Sequence, residues 1–417
     1  MLSAGVYQTD DTKYLALKIM APPVQERVPF HLVLVLDVSG SMEGERLDSV
    51  KRTVECLIQS MRYSDSLSII TYSSDAHVIV NNVLMNENGR NTLLAALTSL
   101  HADGGTNMES ALFALRQIQN FDAVFLLTDG QVNQGVASRT GLLRIFHSVV
   151  PSGIPVNTLG YGEDHNYMLL RDMSAHTCGS YTYADREELI PAIIGDIVGG
   201  LENTFSKRAQ VFIPEGWTCE EIGIVENNKY NIGSLISEKP QWVLFQADQN
   251  TPLPNEINVY YAGQNGQERC SVREYRDHSD VVVAIQRDRC IVAKALLRAS
   301  ESMERRSPLE ARDQLIQAQN ILEHSIAANE PLVISMRANI DDMLSRIPAT
   351  QQHFFPQPAL LTRLVSGTAV LGNQRGFYIS SRSTETITDP IPLQATFSSP
   401  LQQRTTHEMT SRYSQMT

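Results

Sequence analysis

Apolar residues in the first half of the chain follow two alternating patterns. Short unbroken apolar runs have the length and composition of strands buried on both faces of a parallel sheet, and longer stretches have the three-to-four-residue period of amphipathic helices. The predicted strands are His31–Leu36, Asp65–Tyr72, Ala76–Val80, Ala123–Leu127 and Pro155–Tyr161. The predicted helices are Arg46–Arg62, Asn91–Leu100, Met108–Gln119, Gly135–Val150, His165–His176 and Glu187–Leu201. This alternation predicts an α/β domain with a doubly wound, mostly parallel sheet over residues 31–200.

The pattern changes to separated strands after about Leu201. Strand-like segments there are divided by Gly, Pro and Asn turns, which is typical of a β-sandwich and predicts one over residues 201–280. These segments are Ala209–Ile213, Trp242–Ala247 and Glu256–Tyr261. Within residues 1–30, the strand-like Lys13–Met20 precedes the α/β domain and has no place in it. We therefore expect it to pair with the later strands, so that the α/β domain is inserted in the sandwich.

Helical periodicity returns over residues 281–347. Ser307-Pro308-Leu309-Glu310 has the pattern of a capping box with proline at the first helical position, and a further helix is predicted to begin at Pro331. Residues 348–417 are rich in Ser, Thr and Gln with Pro, so we predict a tail that is disordered beyond about Thr384.

Composition and net charge limit the number of domains, the kinds of partner and the cellular compartment that we expect. The 417 residues exceed the ~250–300 at which single cores stop growing, so at least two domains are expected. A net charge of −12 argues against nucleic-acid and anionic-membrane partners. The five cysteines show no zinc or disulfide spacing, which predicts mostly buried thiols in a reducing compartment. Without a signal-peptide pattern or an apolar run near ~18 residues, the expectation is a cytoplasmic protein.

Oxygen-bearing side chains follow two of the predicted strands and one Gly-rich turn. Asp37, Ser39 and Ser41 come directly after the first strand, and Asp129 comes directly after Ala123–Leu127 and Thr128. Thr106 lies in the turn Asp103-Gly-Gly-Thr-Asn ahead of a predicted helix. In open α/β sheets ligands bind at the carboxyl edge of the strands, and carboxylate and hydroxyl oxygens suit Mg²⁺.

This set of motifs, Asp37-x-Ser39-x-Ser41, then Thr106, then Asp129, resembles the metal-ion-dependent adhesion site (MIDAS) of the von Willebrand factor A (VWA) family, over residues 31–198. The resemblance implies a Rossmann-like VWA fold of an intracellular type with a C-terminal β-sandwich and helical extension. It implies that Asp37, Ser39, Ser41 and Thr106 surround Mg²⁺ or Mn²⁺ directly or through water, as does Asp129 depending on the state. It also implies a scaffold or adaptor that binds a protein partner when the partner offers an Asp or Glu to the metal.

Other interpretations of the same residues remain open. Asp37, Ser39 and Ser41 have the residue types of a turn and a helix cap, although capping does not explain donors on three separate loops. A metal that only braces the loops is a second alternative. A Mg²⁺-dependent hydrolase with Asp37 as nucleophile is a third, although Ser39 replaces the second carboxylate of an Asp-x-Asp motif. Because no Gly-x-Ser-x-Gly, His-Glu-x-x-His, Walker or zinc-RING pattern is present, we predict that the protein is not an enzyme.

Three further features receive ordinary structural interpretations. The segment from Gly160 to His165 lacks the third glycine of a phosphate-binding loop, so a strand-to-helix turn is expected. His77, His101 and His165 lie near the ends of predicted strands and are predicted to lie in loops or at the surface. An approach of His101 and His165 to the metal loops is the alternative. Trp217 and Trp242 are predicted to lie in the core of the sandwich.

Overall fold

The chain divides into two compact units, each built from two separate stretches of sequence. The computed structural model describes residues 2–349 except 10, 25, 152, 163–164, 185–186, 222–224 and 264–265, and then residues 360–361, 364–365 and 398–416. One unit comprises Met1–Pro23 and Thr204–Ser399, and it contains the predicted sandwich and helical segment. The other comprises Val24–Asn203 and Pro400–Thr417, and it contains the α/β domain.

The regular elements of the described residues are numbered along the chain. The strands are β1 (Leu2–Gln8), β2 (Thr12–Met20), β3 (His31–Asp37), β4 (Ser66–Tyr72), β5 (Ala76–Leu84), β6 (Ala123–Thr128), β7 (Val156–Tyr161), β8 (Tyr181–Ala184), β9 (Thr204–Phe212), β10 (Thr218–Cys219), β11 (Val225–Glu226), β12 (Lys229–Ile236), β13 (Pro240–Asp248), β14 (Ile257–Gly263) and β15 (Gly266–Val272). The helices are α1 (Glu45–Ser60), α2 (Glu87–Thr98), α3 (Met108–Leu115), α4 (Arg139–Val149), α5 (Tyr167–His176), α6 (Ile190–Glu202), α7 (Asp280–Glu304), α8 (Pro308–Glu323), α9 (Pro331–Arg346) and α10 (Pro400–Met416). Short 3₁₀ turns cover Gly40–Met42 and Glu187–Leu189.

The α/β unit contains a six-stranded sheet in the order β5-β4-β3-β6-β7-β8. All neighbouring pairs are parallel except β4 with β5, which form an antiparallel hairpin at the edge. Every residue of β3, β4, β6 and β7 is buried, which explains their unbroken apolar runs. The α/β class predicted from the sequence is therefore confirmed. Strand β8 is an addition, because its mixed sequence Tyr-Thr-Tyr-Ala carries no apolar run.

The other unit contains two antiparallel sheets packed face to face. Their strand orders are β1-β2-β13-β10 and β11-β12-β9-β14-β15. Strand β2 pairs along its whole length with β13, so the N-terminal strand has the partner expected for it, and β1 is a further strand that was not predicted. Side chains such as Leu17, Val211 and Trp217 form the core between the sheets. The prediction for Trp242 is wrong: on β13 it points away from that core and lies half-buried against the ring of His278.

Helix α7 covers the outer face of the four-stranded sheet, where Val283 and Cys290 pack on Ala16 and Leu244. Helices α8 and α9 pack in turn against α7. Pro308 begins α8 as predicted, but the capping box is absent, since the Ser307 side chain makes no cap hydrogen bond. The Ser307 backbone N–H donates instead to the carbonyl of Ser302, and Glu310 pairs with Arg305.

The C-terminal residues correct the predicted disordered tail and the predicted end of the α/β domain. Pro400–Met416 form α10, which belongs to the α/β unit, whereas residues 384–397 lie outside the described residues. Helix α10 packs closely on α6, and the hydroxyls of Tyr413 and Ser49 on α1 share a hydrogen bond of 2.9 Å. The α/β unit therefore needs residues well beyond position 200.

All five cysteines are free, and only Cys56 and Cys290 are buried, so the expectation of mostly buried thiols is wrong. Within the described part of the chain, no helix is both long enough and apolar enough to cross a membrane.

Candidate functional site

The five predicted oxygen donors lie at the carboxyl edge of the six-stranded sheet. Asp37 is the last residue of β3, and Asp129 directly follows β6. Since β3 and β6 are parallel neighbours with Leu36 opposite Leu127, Asp37 and Asp129 follow this pair by one and two residues at the same edge of the sheet. Ser39 and Ser41 lie at and within the 3₁₀ turn after β3, and Thr106 lies just before α3. Three loops thus deliver the donors to one edge.

Hydrogen bonds join four of these residues, and Thr106 lies beside them. The Ser39 and Ser41 hydroxyls lie 3.1 Å apart, and Ser41 Oγ donates to Asp129 Oδ1 at 2.7 Å. A Cβ placed on Gly130 would lie 3.5 Å from Thr106 Oγ1 and 3.6 Å from Ser41 Oγ, so Thr106 belongs to the same cluster. Asp37 Oδ1 accepts the Ser39 backbone N–H at 2.9 Å. The structure therefore brings all five predicted residues together.

Asp37 is fully buried and is held by donors that the sequence analysis missed. Its Oδ2 accepts the Thr128 hydroxyl at 2.6 Å and the Tyr72 hydroxyl at 3.3 Å. Burial raises the pKa of Asp37, the hydrogen bonds from Ser39 and Thr128 oppose that rise, and the nearby Asp129 adds to it. Burial and the Asp37 carboxylate hold the pKa of Tyr72 well above its usual value, so Tyr72 stays a donor. A cation near Asp37 would offset the cost of burying this charge.

The sequence carries a signal for both missed donors. Tyr72 ends β4 directly opposite Asp37 in the parallel register, and Thr128 directly precedes Asp129 at the end of β6. Polar residues that end neighbouring buried strands in register are expected to meet at the sheet edge.

Arg46, in the first turn of α1, is a further residue that the sequence analysis did not single out. Its Nη1 donates to Asp129 Oδ2 at 2.6 Å and to the Ser41 carbonyl at 3.2 Å. The guanidinium lies over the ring of Tyr161, 5.5 Å from its centroid. The Arg46 side chain is 42% exposed, whereas the Asp129 side chain is fully buried. Asp129 is thus paired with a cation of the chain itself.

The Gly-rich turn that carries Thr106 is fixed by its neighbours. Gly104 has a φ of +75°, which favours glycine. A Cβ on Gly105 would lie 2.6 Å from the side chain of Gln134, which would have to move aside. The Thr106 backbone N–H donates to Asn133 Oδ1 at 2.8 Å. The Asn107 side chain caps α3 by accepting the Ser110 N–H. The Thr106 hydroxyl therefore lies on a loop that is held by hydrogen bonds on both sides of it.

The hydrogen bonds given above for this cluster involve none of the three histidines His77, His101 and His165. His77 and His101 are exposed, as predicted. His165 lies in the loop between β7 and α5, as predicted, but it is fully buried, and its ring nitrogens lie 2.8 Å from the Tyr181 hydroxyl and from the Gly162 carbonyl. The ring fits because Gly160 has no Cβ, which would lie 2.1 Å from His165 Nε2. Of the predicted strand-to-helix turn, residues 163–164 lie outside the described residues.

The donor set also limits the chemistry of the site. Among the described residues, no group of three or more His, Cys, Asp and Glu side chains is placed to hold a metal ion. A cation here would rely on two carboxylates, neutral hydroxyls and water. Oxygen donors of this kind suit a hard cation such as Mg²⁺ or Mn²⁺ better than zinc.

Comparison with known proteins identifies the α/β unit. Residues 32–131 match the family model of the von Willebrand factor type A domain. An uncharacterized protein of Synechocystis is 30% identical over 190 residues, which are 44% of each chain. The E3 ubiquitin-protein ligase WAV3 of Arabidopsis thaliana is 25% identical over 328 residues, which are 70% of this chain and 41% of that protein. The chain thus spans less than half the length of these curated relatives.

A solved structure extends the likeness to most of the chain. The von Willebrand factor type A protein from Catenulispora acidiphila superposes with a TM-score of 0.63 at 14% identity, covering 89% of this chain and 96% of that one. At this identity the likeness concerns the fold. Together with the matching family model and the strand order of the sheet, it leads to one conclusion: the α/β unit of this chain is a von Willebrand factor type A (VWA) domain.

Proposed function

We propose that this VWA domain binds Mg²⁺ or Mn²⁺ through Asp37, Ser39, Ser41, Thr106 and Asp129, and that the bound metal recruits an acidic residue of a protein partner. The observation that carries the proposal is the convergence of these oxygens from three loops around the buried Asp37. The proposal includes an adaptor or scaffold role in the cytoplasm and no catalytic activity. VWA domains are in general protein-interaction modules.

The residues fit the metal in kind and in charge. The carboxylates of Asp37 and Asp129 share their negative charge with hydrogen-bond donors, so together they would neutralise a divalent cation only in part. The hydroxyls of Ser39, Ser41 and Thr106 are neutral and would add no negative charge. A metal held in this way supplies a Lewis-acidic position at which an incoming carboxylate binds more strongly than at a carboxylate-rich site. Thr128 and Tyr72 hold the second oxygen of Asp37, so the carboxylate is oriented before a metal arrives.

The hydrolase alternative receives less support from the same contacts. Ser39, which stands where a second carboxylate would act as acid and base, instead shares a hydrogen bond with Ser41. Binding rather than turnover is the function that this geometry favours.

The first prediction tests the metal site by titration calorimetry of the full chain with MgCl₂. We expect binding by the wild type and its loss in the double variant Asp37→Ala/Asp129→Ala, since both carboxylates of the cluster are removed. Asp103→Ala is the matched control, because it removes an exposed carboxylate of the neighbouring loop. Equal Mg²⁺ binding by the double variant and the wild type would show that the site is misassigned.

Partner capture then separates binding from catalysis. Affinity capture from lysate with wild type and Ser39→Ala should give a protein whose recovery depends on Mg²⁺ and falls in the variant, and the difference should vanish in EDTA. The full chain should not hydrolyse a generic aryl phosphate in Mg²⁺. Turnover that Asp37→Asn abolishes, without a metal-dependent partner, would favour the hydrolase instead.

A further inference from the structure

Arg46 reaches the candidate metal site from the first turn of α1, and no motif of the site includes it. We infer that Arg46 is an internal cation of the site: its guanidinium pairs with Asp129 when no metal is bound and has to leave Asp129 when Mg²⁺ binds. In this way Arg46 lowers the affinity of the site for metal. The inference rests on the proposed function, since it concerns the regulation of the same site.

The contacts of Asp129 leave no oxygen of this carboxylate free. Oδ1 accepts the Ser41 hydroxyl at 2.7 Å, and Oδ2 accepts Arg46 Nη1 at 2.6 Å. The second distance is that of a charge-assisted hydrogen bond. Because the Asp129 side chain is fully buried, water screens this pair less than it would an exposed one. A metal that uses Asp129, directly or through water, therefore competes with an existing ion pair.

Arg46 also contacts the loop of the hydroxyl donors. The same Nη1 donates to the carbonyl of Ser41 at 3.2 Å, so the positive charge lies beside a residue proposed to hold the metal. A divalent cation bound at Ser41 would repel a guanidinium at this distance, because like charges a few ångströms apart interact strongly in a partly buried site. The metal and the Arg46–Asp129 pair thus disfavour each other.

The side chain has room to withdraw. Arg46 is partly exposed, and its guanidinium lies over the ring of Tyr161, a contact that does not involve the metal ligands. A long flexible side chain at the surface end of a helix changes rotamer without moving the backbone. The exchange of Arg46 for Mg²⁺ therefore requires no rearrangement of the fold.

Two roles of Arg46 make opposite predictions for its removal. If the Arg46–Asp129 pair only organises the site, a neutral residue should leave Mg²⁺ affinity unchanged or weaken it. If Arg46 competes with the metal, the same substitution should strengthen Mg²⁺ binding. Both roles predict a lower melting temperature without metal, because the buried Asp129 loses its partner. The sign of the change in affinity therefore decides between them.

The experiment is calorimetric Mg²⁺ titration of the full chain as wild type, Arg46→Gln and Arg46→Lys, with thermal melts in EDTA and in saturating Mg²⁺. We expect Arg46→Gln to bind Mg²⁺ about tenfold more tightly, since one nearby like charge is removed. In EDTA, the melting temperature of Arg46→Gln should be lower than that of the wild type. Addition of Mg²⁺ should raise the melting temperature of Arg46→Gln by more than it raises that of the wild type. Arg46→Lys keeps the charge and should stay closer to the wild type.

Arg62→Gln is the matched control, because it removes the same charge from an exposed position just beyond the far end of α1. It should leave Mg²⁺ affinity unchanged, which excludes an effect of net charge. Mg²⁺ binding by the wild type with equal or weaker binding by Arg46→Gln would overturn the inference and leave the proposed function standing. Absence of Mg²⁺ binding in both proteins would overturn the proposed function and the inference with it.

Discussion

At the scale of single residues, Asp37 shows how this fold keeps a carboxylate fully buried. Three donors share its charge: the Ser39 backbone N–H, the Thr128 hydroxyl and the Tyr72 hydroxyl. The Thr128 contact, at 2.6 Å, is the shortest of them. Burial raises the pKa of Asp37, and each donor favours the ionised form that a cation requires. Thr128 thus supports the candidate site although it is not one of the proposed ligands.

Thr128→Val should therefore lower the stability of the metal-free chain. The substitution keeps the shape of the side chain but leaves a buried carboxylate oxygen with one strong donor fewer, which costs about 1–3 kcal/mol of unfolding free energy. Thr128→Ser retains the hydroxyl and should lose less stability than Thr128→Val. Urea denaturation in EDTA measures both. A Thr128→Val chain as stable as the wild type would mean that the hydroxyl contributes nothing to holding Asp37.

At the scale of elements, the contact between α6 and α10 depends on two glycines one helical turn apart. A Cβ on Gly195 would lie 2.7 Å from the Thr406 Cα, and one on Gly199 would lie 2.9 Å from the Gln402 Cα. These neighbours are backbone atoms, which cannot rotate away. Buried Met409 and Tyr413 on α10 add side-chain packing. The absence of side chains on α6 thus allows the two helix backbones to approach closely.

The sign of the change in unfolding free energy caused by Gly195→Ala tests this packing. In a free helix the change from Gly to Ala stabilises by roughly 0.5–1 kcal/mol, because the unfolded glycine has more conformational freedom. Against α10 the added methyl is too close to a backbone atom, so we expect destabilisation of about 1–3 kcal/mol in urea denaturation. Thr410→Ala, at an exposed position of α10, is the control.

The same substitution in a chain that ends at Ser399 completes this test. With α10 deleted, Gly195→Ala no longer meets a neighbour and should become neutral or stabilising. A destabilising effect of equal size in both chains would show that α10 is not the cause.

At the scale of the whole molecule, each unit is closed by a stretch from a distant part of the sequence. In the sandwich, β2 lies between β1 and β13 and pairs with all nine residues of β13. In the α/β unit, α10 packs on α6 and contacts α1. The two units therefore depend on opposite ends of the chain.

Deletion of residues 1–23 and deletion of residues 400–417 should accordingly affect different regions. The first leaves β13 with only its short pairing to β10, so amide protection should fall in Thr204–Val272. The second uncovers α6 and α1, so protection should fall mainly there. Hydrogen exchange with mass spectrometry measures both patterns. The same regional loss in both deletions would contradict this division.

The elements that the sequence predicted well are those whose burial is extreme. Strands β3, β4, β6 and β7 are buried on both faces, so their apolar runs are unambiguous, and the polar residues that end β3 and β6 indicate the candidate site. Strands β1, β12 and β15 were missed, since strands with one open face or an exposed edge carry mixed sequences. The Ser- and Thr-rich α10 was interpreted as tail because its own composition cannot show that α6 has a surface to receive it.

By itself, therefore, the sequence determined the α/β class, the insertion of that domain between strands of the sandwich, and the five oxygen donors at the sheet edge. Each of these follows from patterns that are local in the sequence, namely the spacing of apolar side chains within an element and the polar residues at the end of a strand. Only the tertiary structure decided the role of α10, the burial of His165, and the contacts of Thr128, Tyr72 and Arg46. Each of these depends on which distant residue lies opposite, which in this chain is set by the packing of strands and helices far apart in sequence.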